Sequence, residues 1–262
     1  MENFKSLNLP ESLMHTLDHL GFTKPTPVQA AAIPLALKGR DILGSAQTGT
    51  GKTAAFGIPL VVKMTNNPDE TAVIITPTRE LASQIHRYAC HLATDLDLDI
   101  AIITGGVPYA PQEEALEGNV DILIATPGRL MEYLDKRKFD ATEVDILIID
   151  EADRMLDMGF SSVVQAIAIE AQGRKQNMLF SATLEGSGVE RFARDLLKDP
   201  ITIDVEAPRS EKAKIHQWAH LADDKDHKFA LLCNILRQEQ VKRTIVFVKT
   251  REVVASLEGL LL

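Results

Sequence analysis

Short apolar runs alternate with longer stretches in which apolar residues recur every three or four positions, and this alternation runs through most of the chain. The short runs are Asp41–Gly44, Ala72–Thr76, Ile100–Thr104, Asp121–Ala125, Asp145–Asp150, Gln176–Phe180 and Ile201–Val205. Most are nearly continuous in Ile, Leu and Val, as strands are when both faces of a sheet are covered. Helical spacing is expected between them, over Arg79–Thr94, Gln112–Glu117, Gly128–Lys136, Phe160–Glu170 and Gly188–Leu197. Near the start, Leu13, Leu17 and Leu20 fall at helical spacing and Gly21 ends the run. Phe22–Gln29, with Pro25 and Pro27, reads as a turn, and Ala30–Leu37 as an apolar helix that Pro34 should start or kink. The predicted class is α/β, a parallel sheet wrapped by helices, with ligands bound beyond the carboxyl ends of the strands.

After residue 205 the pattern changes. Residues 206–214 are polar and aperiodic, with Pro208 and Ser210, and read as an interdomain linker. Beyond them Ile215–Leu221 and Thr244–Val248 are expected as strands, with helices over His227–Arg237 and Glu252–Leu261. About 50 residues are too few for an α/β layer fold to bury its own sheet. The expected organisation is therefore a first domain over 1–205, a linker over 206–214, and only part of a second domain over 215–262.

One loop joins the first strand to a helix. Ala46-Gln47-Thr48-Gly49-Thr50-Gly51-Lys52-Thr53 fits the pattern G-x-x-x-x-G-K-[ST] except at its first position. Glycines let backbone N–H groups curl inward, and the helix start adds its positive dipole end, which together suit phosphate oxygens. Lys52 supplies a cation for the outer phosphates, and the Thr53 hydroxyl suits Mg²⁺. Farther on, the apolar run Asp145–Ile149 delivers Asp150 and then Glu151. An acid at such a strand end is the usual second half of a phosphate-loop site, holding the Mg²⁺ partly through water. Glu151 is placed to orient or deprotonate an attacking water. Arg154 and Asp157 read as a surface ion pair on a helix.

Composition narrows the class without naming the reaction. Hydrophobic residues make up 45% and charged residues 25%, with a net charge of −9. No run approaches the ~20 apolar residues of a membrane span, and the start Met1–Lys5 carries no signal-peptide pattern, so a cytoplasmic protein with no membrane partner is expected. Cys90 and Cys233 stand apart among apolar neighbours and read as small buried hydrophobes. His86 and His91 do not share a helix face, and no zinc site is expected.

With these motifs assembled, the chain resembles the DEAD-box RNA helicases. Asp150-Glu151-Ala152-Asp153 is similar to the signature of that family, and Ala46–Thr53 to its phosphate loop, in which Ala at the first position is normal. Phe4 with Gly21–Gln29 resembles its Q motif, within residues 2–30. Pro77-Thr78-Arg79-Glu80-Leu81-Ala82, Gly105-Gly106, Thr126-Pro127-Gly128-Arg129 and Ser181-Ala182-Thr183 resemble the remaining motifs of the first RecA-like domain, in order. Ile245–Arg251 resembles the first motif of the second domain.

The resemblance implies a RecA-like fold, ATP and Mg²⁺ as ligands, and coupling of hydrolysis to local RNA unwinding. It implies that Gln29 reads adenine with Phe4 stacked on the ring. It implies that Pro77, Thr78, Arg79, Gly105, Gly106, Thr126, Gly128 and Arg129 track single-stranded RNA, largely through sequence-blind backbone contacts. It implies that the motif Ser181-Ala182-Thr183 hydrogen-bonds to the acidic motif and couples hydrolysis to strand separation, with Asp153, Ser181 and Thr183 as the coupling residues. The runs Ser181–Gly186 and Lys214–Trp218 look most like a bacterial subgroup that assists large ribosomal subunit assembly, which implies a pre-ribosomal partner. The family draws its transition-state arginines from late motifs of the second domain, which these 262 residues do not contain, so weak activity of this chain alone is expected. An ATP-gated RNA clamp without productive unwinding is the alternative. The negative net charge implies modest, salt-sensitive RNA affinity.

Overall fold

All seven apolar runs of the first part become strands, because such runs bury both faces only between two helix layers. In the computed structural model, which describes residues 3–7, 9–47, 49–184, 188–205 and 216–261, they are β1 (Ile42–Ala46), β2 (Thr71–Ile75), β3 (Ile100–Ile103), β4 (Ile122–Ala125), β5 (Val144–Ile149), β6 (Gln176–Ser181) and β7 (Ile201–Val205). They form one sheet in the order β3-β4-β2-β5-β6-β1-β7. Every pairing is parallel, so all seven carboxyl ends lie on one edge.

The helices are α1 (Glu11–His19), α2 (Pro27–Leu37), α3 (Lys52–Asn66), α4 (Arg79–Leu92), α5 (Tyr109–Glu114), α6 (Pro127–Asp135), α7 (Ala152–Asp157), α8 (Ser161–Glu170), α9 (Val189–Leu196), α10 (Lys225–Leu236) and α11 (Arg251–Leu261). Alternation along each strand feeds two cores. Ile146 and Ile148 pack on the face covered by α1 to α4, together with Ile74, Ile122, Met178 and Phe180. Leu147 and Ile149 point the other way, into a core shared with α6 to α9. Among the described residues no helix is long and apolar enough to cross a membrane.

The chain divides into two compact units, Met1–Glu211 and Lys212–Leu262. The second differs from expectation. Residues 216–221 and 244–248 form no strand, and the expected strand start at Ile215 and the linker 206–214 lie outside the described residues. An isolated strand has no ladder to join, whereas α10 and α11 satisfy their backbone groups internally. Ile245, Phe247 and Leu221 are exposed, and no described residue from 216 to 261 is buried.

Three smaller expectations are also corrected. Helix α2 begins at Pro27, inside the expected turn, and runs through Pro34; proline is well suited to a first helical position, where its missing N–H has no intrahelical partner. Cys90 is exposed and Cys233 half-buried, because the buried stripe of α4 is Ala82, Ile85, Ala89 and Leu92, and Cys90 falls outside it. Arg154 pairs with Glu151 at 3.1 Å instead of with Asp157, because Glu151 adopts a left-handed conformation (φ 55°) at the start of α7 and lays its carboxylate over the first turn.

Candidate nucleotide and nucleic-acid site

Strand order divides the functional edge in two. The carboxyl ends of β5, β6 and β1 are neighbours and carry Asp150, Ser181-Ala182-Thr183 and the phosphate loop. The ends of β3, β4 and β2 carry Gly105-Gly106, Thr126 and Pro77–Arg79.

In the first half, Ala46 ends β1 and is buried, and the chain turns through Gln47, Gly49 and Thr50 into α3. Thr48 lies outside the described residues. The Thr50 hydroxyl donates to the Gln47 carbonyl at 2.7 Å and tightens the turn. Gly51 has φ 94°, and a Cβ there would overlap the Gln29 amide nitrogen, so both backbone and space require glycine. Lys52 and Thr53 open α3. Lys52 is only 6% exposed, and its Nζ has no hydrogen-bond partner among the described residues.

Asp150 is 3% exposed. Its N–H continues the sheet ladder to the Ile75 carbonyl at 2.9 Å, and its Oδ1 accepts from the Glu151 N–H at 3.0 Å. Burial pushes its carboxyl up to about 6, against the pull of the nearby Lys52 cation. A buried, unpartnered ammonium beside a buried carboxylate, with the Thr53 hydroxyl adjoining, is a donor set that fits a nucleotide's outer phosphates with Mg²⁺. Asp153 joins this half to β6: its Oδ2 accepts from the Ala182 N–H at 3.2 Å and from the Thr183 N–H and hydroxyl, both at 3.1 Å. The Ser181 hydroxyl donates to the Thr183 carbonyl at 2.6 Å.

Two residues expected at the base do not stand open to one. Phe4 is 2% exposed and meets Phe22 edge-on, with ring centroids 5.9 Å apart. Gln29 uses its carbonyl to accept from the Thr26 N–H at 2.9 Å and its amide to donate to the Gly51 carbonyl at 3.2 Å. One N–H and one lone pair of that amide remain spare. The side chain thereby ties the start of α2 to the phosphate loop.

In the second half, a groove of about 430 Å³ is lined by Pro77, Thr78, Arg79, Gly105, Gly106, Thr126, Gly128 and Arg129. Thr78 caps α4, its hydroxyl accepting from the Leu81 N–H at 3.3 Å. The Thr126 hydroxyl accepts from the Gly105 N–H at 3.3 Å and holds two strand ends together. The two arginines differ. Arg79 is exposed and reaches the Gly105 carbonyl only at 3.5 Å. Arg129 is buried, donates to the Val107 carbonyl at 3.1 Å, pairs with Glu132 at 3.1 Å and lies 4.2 Å over the Tyr109 ring. The sequence reading named Glu80 within its motif without a contact role, and missed three further lining residues: Glu132, Met158 and Phe160. The run Asp157-Met158-Gly159-Phe160, two apolar residues flanking a glycine just after the acidic motif, was the available signal for the last two.

An all-parallel sheet with a phosphate loop and an acidic strand two places away defines a RecA-like P-loop nucleotide-binding core. Residues 26–192 match the DEAD/DEAH box helicase family, and the chain belongs to it. It is 50% identical over 259 residues to the ATP-dependent RNA helicase SrmB of Escherichia coli (strain K12), covering 97% of this chain and 58% of that protein. It is 44% identical over 257 residues to SrmB of Haemophilus influenzae, again covering 58% of the relative. Its fold superposes on the crystal structure of a DEAD box protein from Methanococcus jannaschii with a TM-score of 0.75 at 34% identity, covering all of this chain and 70% of that one. The chain thus spans 58% of the length of those two curated relatives.

Proposed function

We propose that the chain is the ATP-binding part of an ATP-dependent RNA helicase that couples hydrolysis to local separation of short RNA duplexes. The observation that carries this reading is the single edge on which an unpartnered buried Lys52, a buried Asp150 and the groove through Arg79 lie together, with Asp153 bonded to Ala182 and Thr183 at the end of the neighbouring strand. In this reading residues 1–205 form the ATP-binding domain and 215–262 contribute to a second.

Lys52 and the amides of Gly49 to Lys52 hold the outer phosphates of ATP. Thr53 and Asp150 hold Mg²⁺, partly through water, and the ion supplies positive charge to those phosphates. Glu151 orients the attacking water and accepts its proton, which requires its carboxylate to leave Arg154. Gln29 contributes its spare amide capacity to the base, and Phe4 anchors the Q-motif segment within the core. Thr78, Arg79, Gly105, Gly106, Thr126 and Gly128 contact the sugar–phosphate chain of single-stranded RNA, while Arg129 fixes the wall of the groove. Asp153, Ser181 and Thr183 relay the state of the nucleotide to that groove. In this reading the chain acts in the cytoplasm in large ribosomal subunit assembly, with a pre-ribosomal particle as partner, as the resemblance of residues 181–186 and 214–218 to an assembly subgroup implies.

ATP hydrolysis with and without single-stranded RNA, paired with strand displacement on a short duplex, tests the reading. RNA-stimulated hydrolysis that disappears in Lys52→Ala is expected. Displacement that needs no nucleotide would favour a simple RNA-binding protein. A polypeptide of these 262 residues is expected to turn over slowly, since the transition state wants arginines beyond those on this edge.

A further inference from the structure

Thr76 is fully buried, and its hydroxyl has no hydrogen-bond partner among the described residues. An orphan hydroxyl in a core costs stability that a valine of the same shape would not. The position of this one is set by the sheet. Ile75 pairs with Ile149 in the β2–β5 ladder, and the ladder continues one residue further, with the Asp150 N–H on the Ile75 carbonyl at 2.9 Å and the Thr76 N–H on the Ala125 carbonyl at 3.0 Å. Thr76 and Asp150 are therefore the next pair in register. Side chains alternate, and Ile74 and Ile148 both face the α1–α4 core, so Thr76 and Asp150 emerge side by side on that same face. Lys52 opens α3 on this face, and its charge acts on Asp150. Asp150 Oδ1 is taken by the Glu151 N–H, and no described residue donates to Oδ2.

We propose that Thr76 is a positioning residue of the nucleotide site: its hydroxyl, unpartnered among the described residues of the free chain, donates to the Asp150 carboxylate when a Mg²⁺-bound nucleotide loads, and holds that carboxylate turned toward it. The inference rests on the ATP-site reading above and assigns to it a side chain one residue before the groove segment Pro77–Arg79. In the loaded site one oxygen of the carboxylate is then held by the Glu151 N–H and the other by Thr76, whereas the free chain carries an orphan hydroxyl.

The test uses the 262-residue chain with Thr76→Val, which keeps the shape, and Thr76→Ser, which keeps the hydroxyl. Binding of a fluorescent ADP analogue is titrated against Mg²⁺, and thermal unfolding is followed in EDTA, where no site is loaded. The Mg²⁺ concentration for half-maximal tightening is expected to rise about 10-fold in Thr76→Val and to stay within about twofold of wild type in Thr76→Ser, while Thr76→Val unfolds in EDTA at or above the wild-type temperature. A wild-type Mg²⁺ midpoint in Thr76→Val, a Thr76→Ser that behaves like valine, or a clear loss of stability of Thr76→Val in EDTA each assigns Thr76 to packing and overturns the proposal. Absence of any Mg²⁺ dependence in the wild type would overturn the ATP-site reading itself, and this inference with it.

Discussion

Lys52 and Asp150 are buried charges whose mutual attraction only partly offsets the cost of burying Asp150. Asp150 has its carboxyl raised by burial from its ordinary 3.8 to about 6. A raised carboxyl means that the folded chain holds the proton more tightly than the unfolded one. The stabilisation is full below 3.8 and is lost as pH rises through about 6. The apo protein is therefore expected to lose stability between about pH 4 and 6, by an amount on the order of 1–3 kcal/mol, and Asp150→Asn to recover it at pH 8 while losing Mg²⁺-dependent nucleotide binding. Urea melts across that range check this, and an Asp150→Asn chain less stable than wild type at pH 8 would refute it. The same scale separates Arg79 from Arg129. Arg79→Ala is expected to weaken single-stranded RNA binding for every sequence and to lower the salt slope by about 1 with little change in stability. Arg129→Ala is expected to cost about 2 kcal/mol of stability, since it strips a buried cation from Tyr109, removes the bond to the Val107 carbonyl and leaves Glu132 with the Tyr109 hydroxyl alone. The motif containing Arg129 was legible in the sequence. Its burial was not, because Tyr109 reaches it from α5, whereas its partner Glu132 lies one turn on in the same helix.

At the level of elements, each strand was visible as an apolar run, because burial on both faces leaves little room for polar residues. Helix starts were less legible. Pro27 looked like turn punctuation and is instead the first residue of α2, where Gln29 folds back to accept from the Thr26 N–H. The connection between α7 and β6 is the element-scale feature closest to function. Asp153 gathers three donors from Ala182 and Thr183 across two neighbouring strand ends. Replacing it with alanine is expected to speed amide exchange at Ala182 and Thr183 at least about tenfold, with exchange in β5 and β6 unchanged. Unaltered protection of those two amides would show that the turn holds itself and that Asp153 is not its clasp. The sequence reading paired Asp153 with this turn through family resemblance alone; sequence spacing could not show that β5 and β6 are adjacent in the sheet.

Across the whole molecule, the two units differ in how much they bury. Met1–Glu211 holds two apolar cores around one sheet, whereas the described residues from 216 to 261 bury none of their side chains. Amide exchange is expected to protect β2, β4, β5 and β6 most strongly and to leave α10 and α11 exchanging within seconds to minutes. Long-lived protection in α10 or α11 would mean that the second unit is stabilised by packing beyond what these side chains show. By itself the sequence determined the things that are local: the phosphate loop, the acid at a strand end, the alternation of strand and helix, and the two residue types at each motif. Periodicity and short motifs act over a few residues, so they can be read in one dimension. Only the tertiary structure decided which strand ends are neighbours, that Phe4 is sealed against Phe22, that Thr244–Val248 forms no strand, and that Thr76 lies beside Asp150. Those outcomes depend on strand order, register and the partners available for burial, and such contacts join residues far apart in the chain.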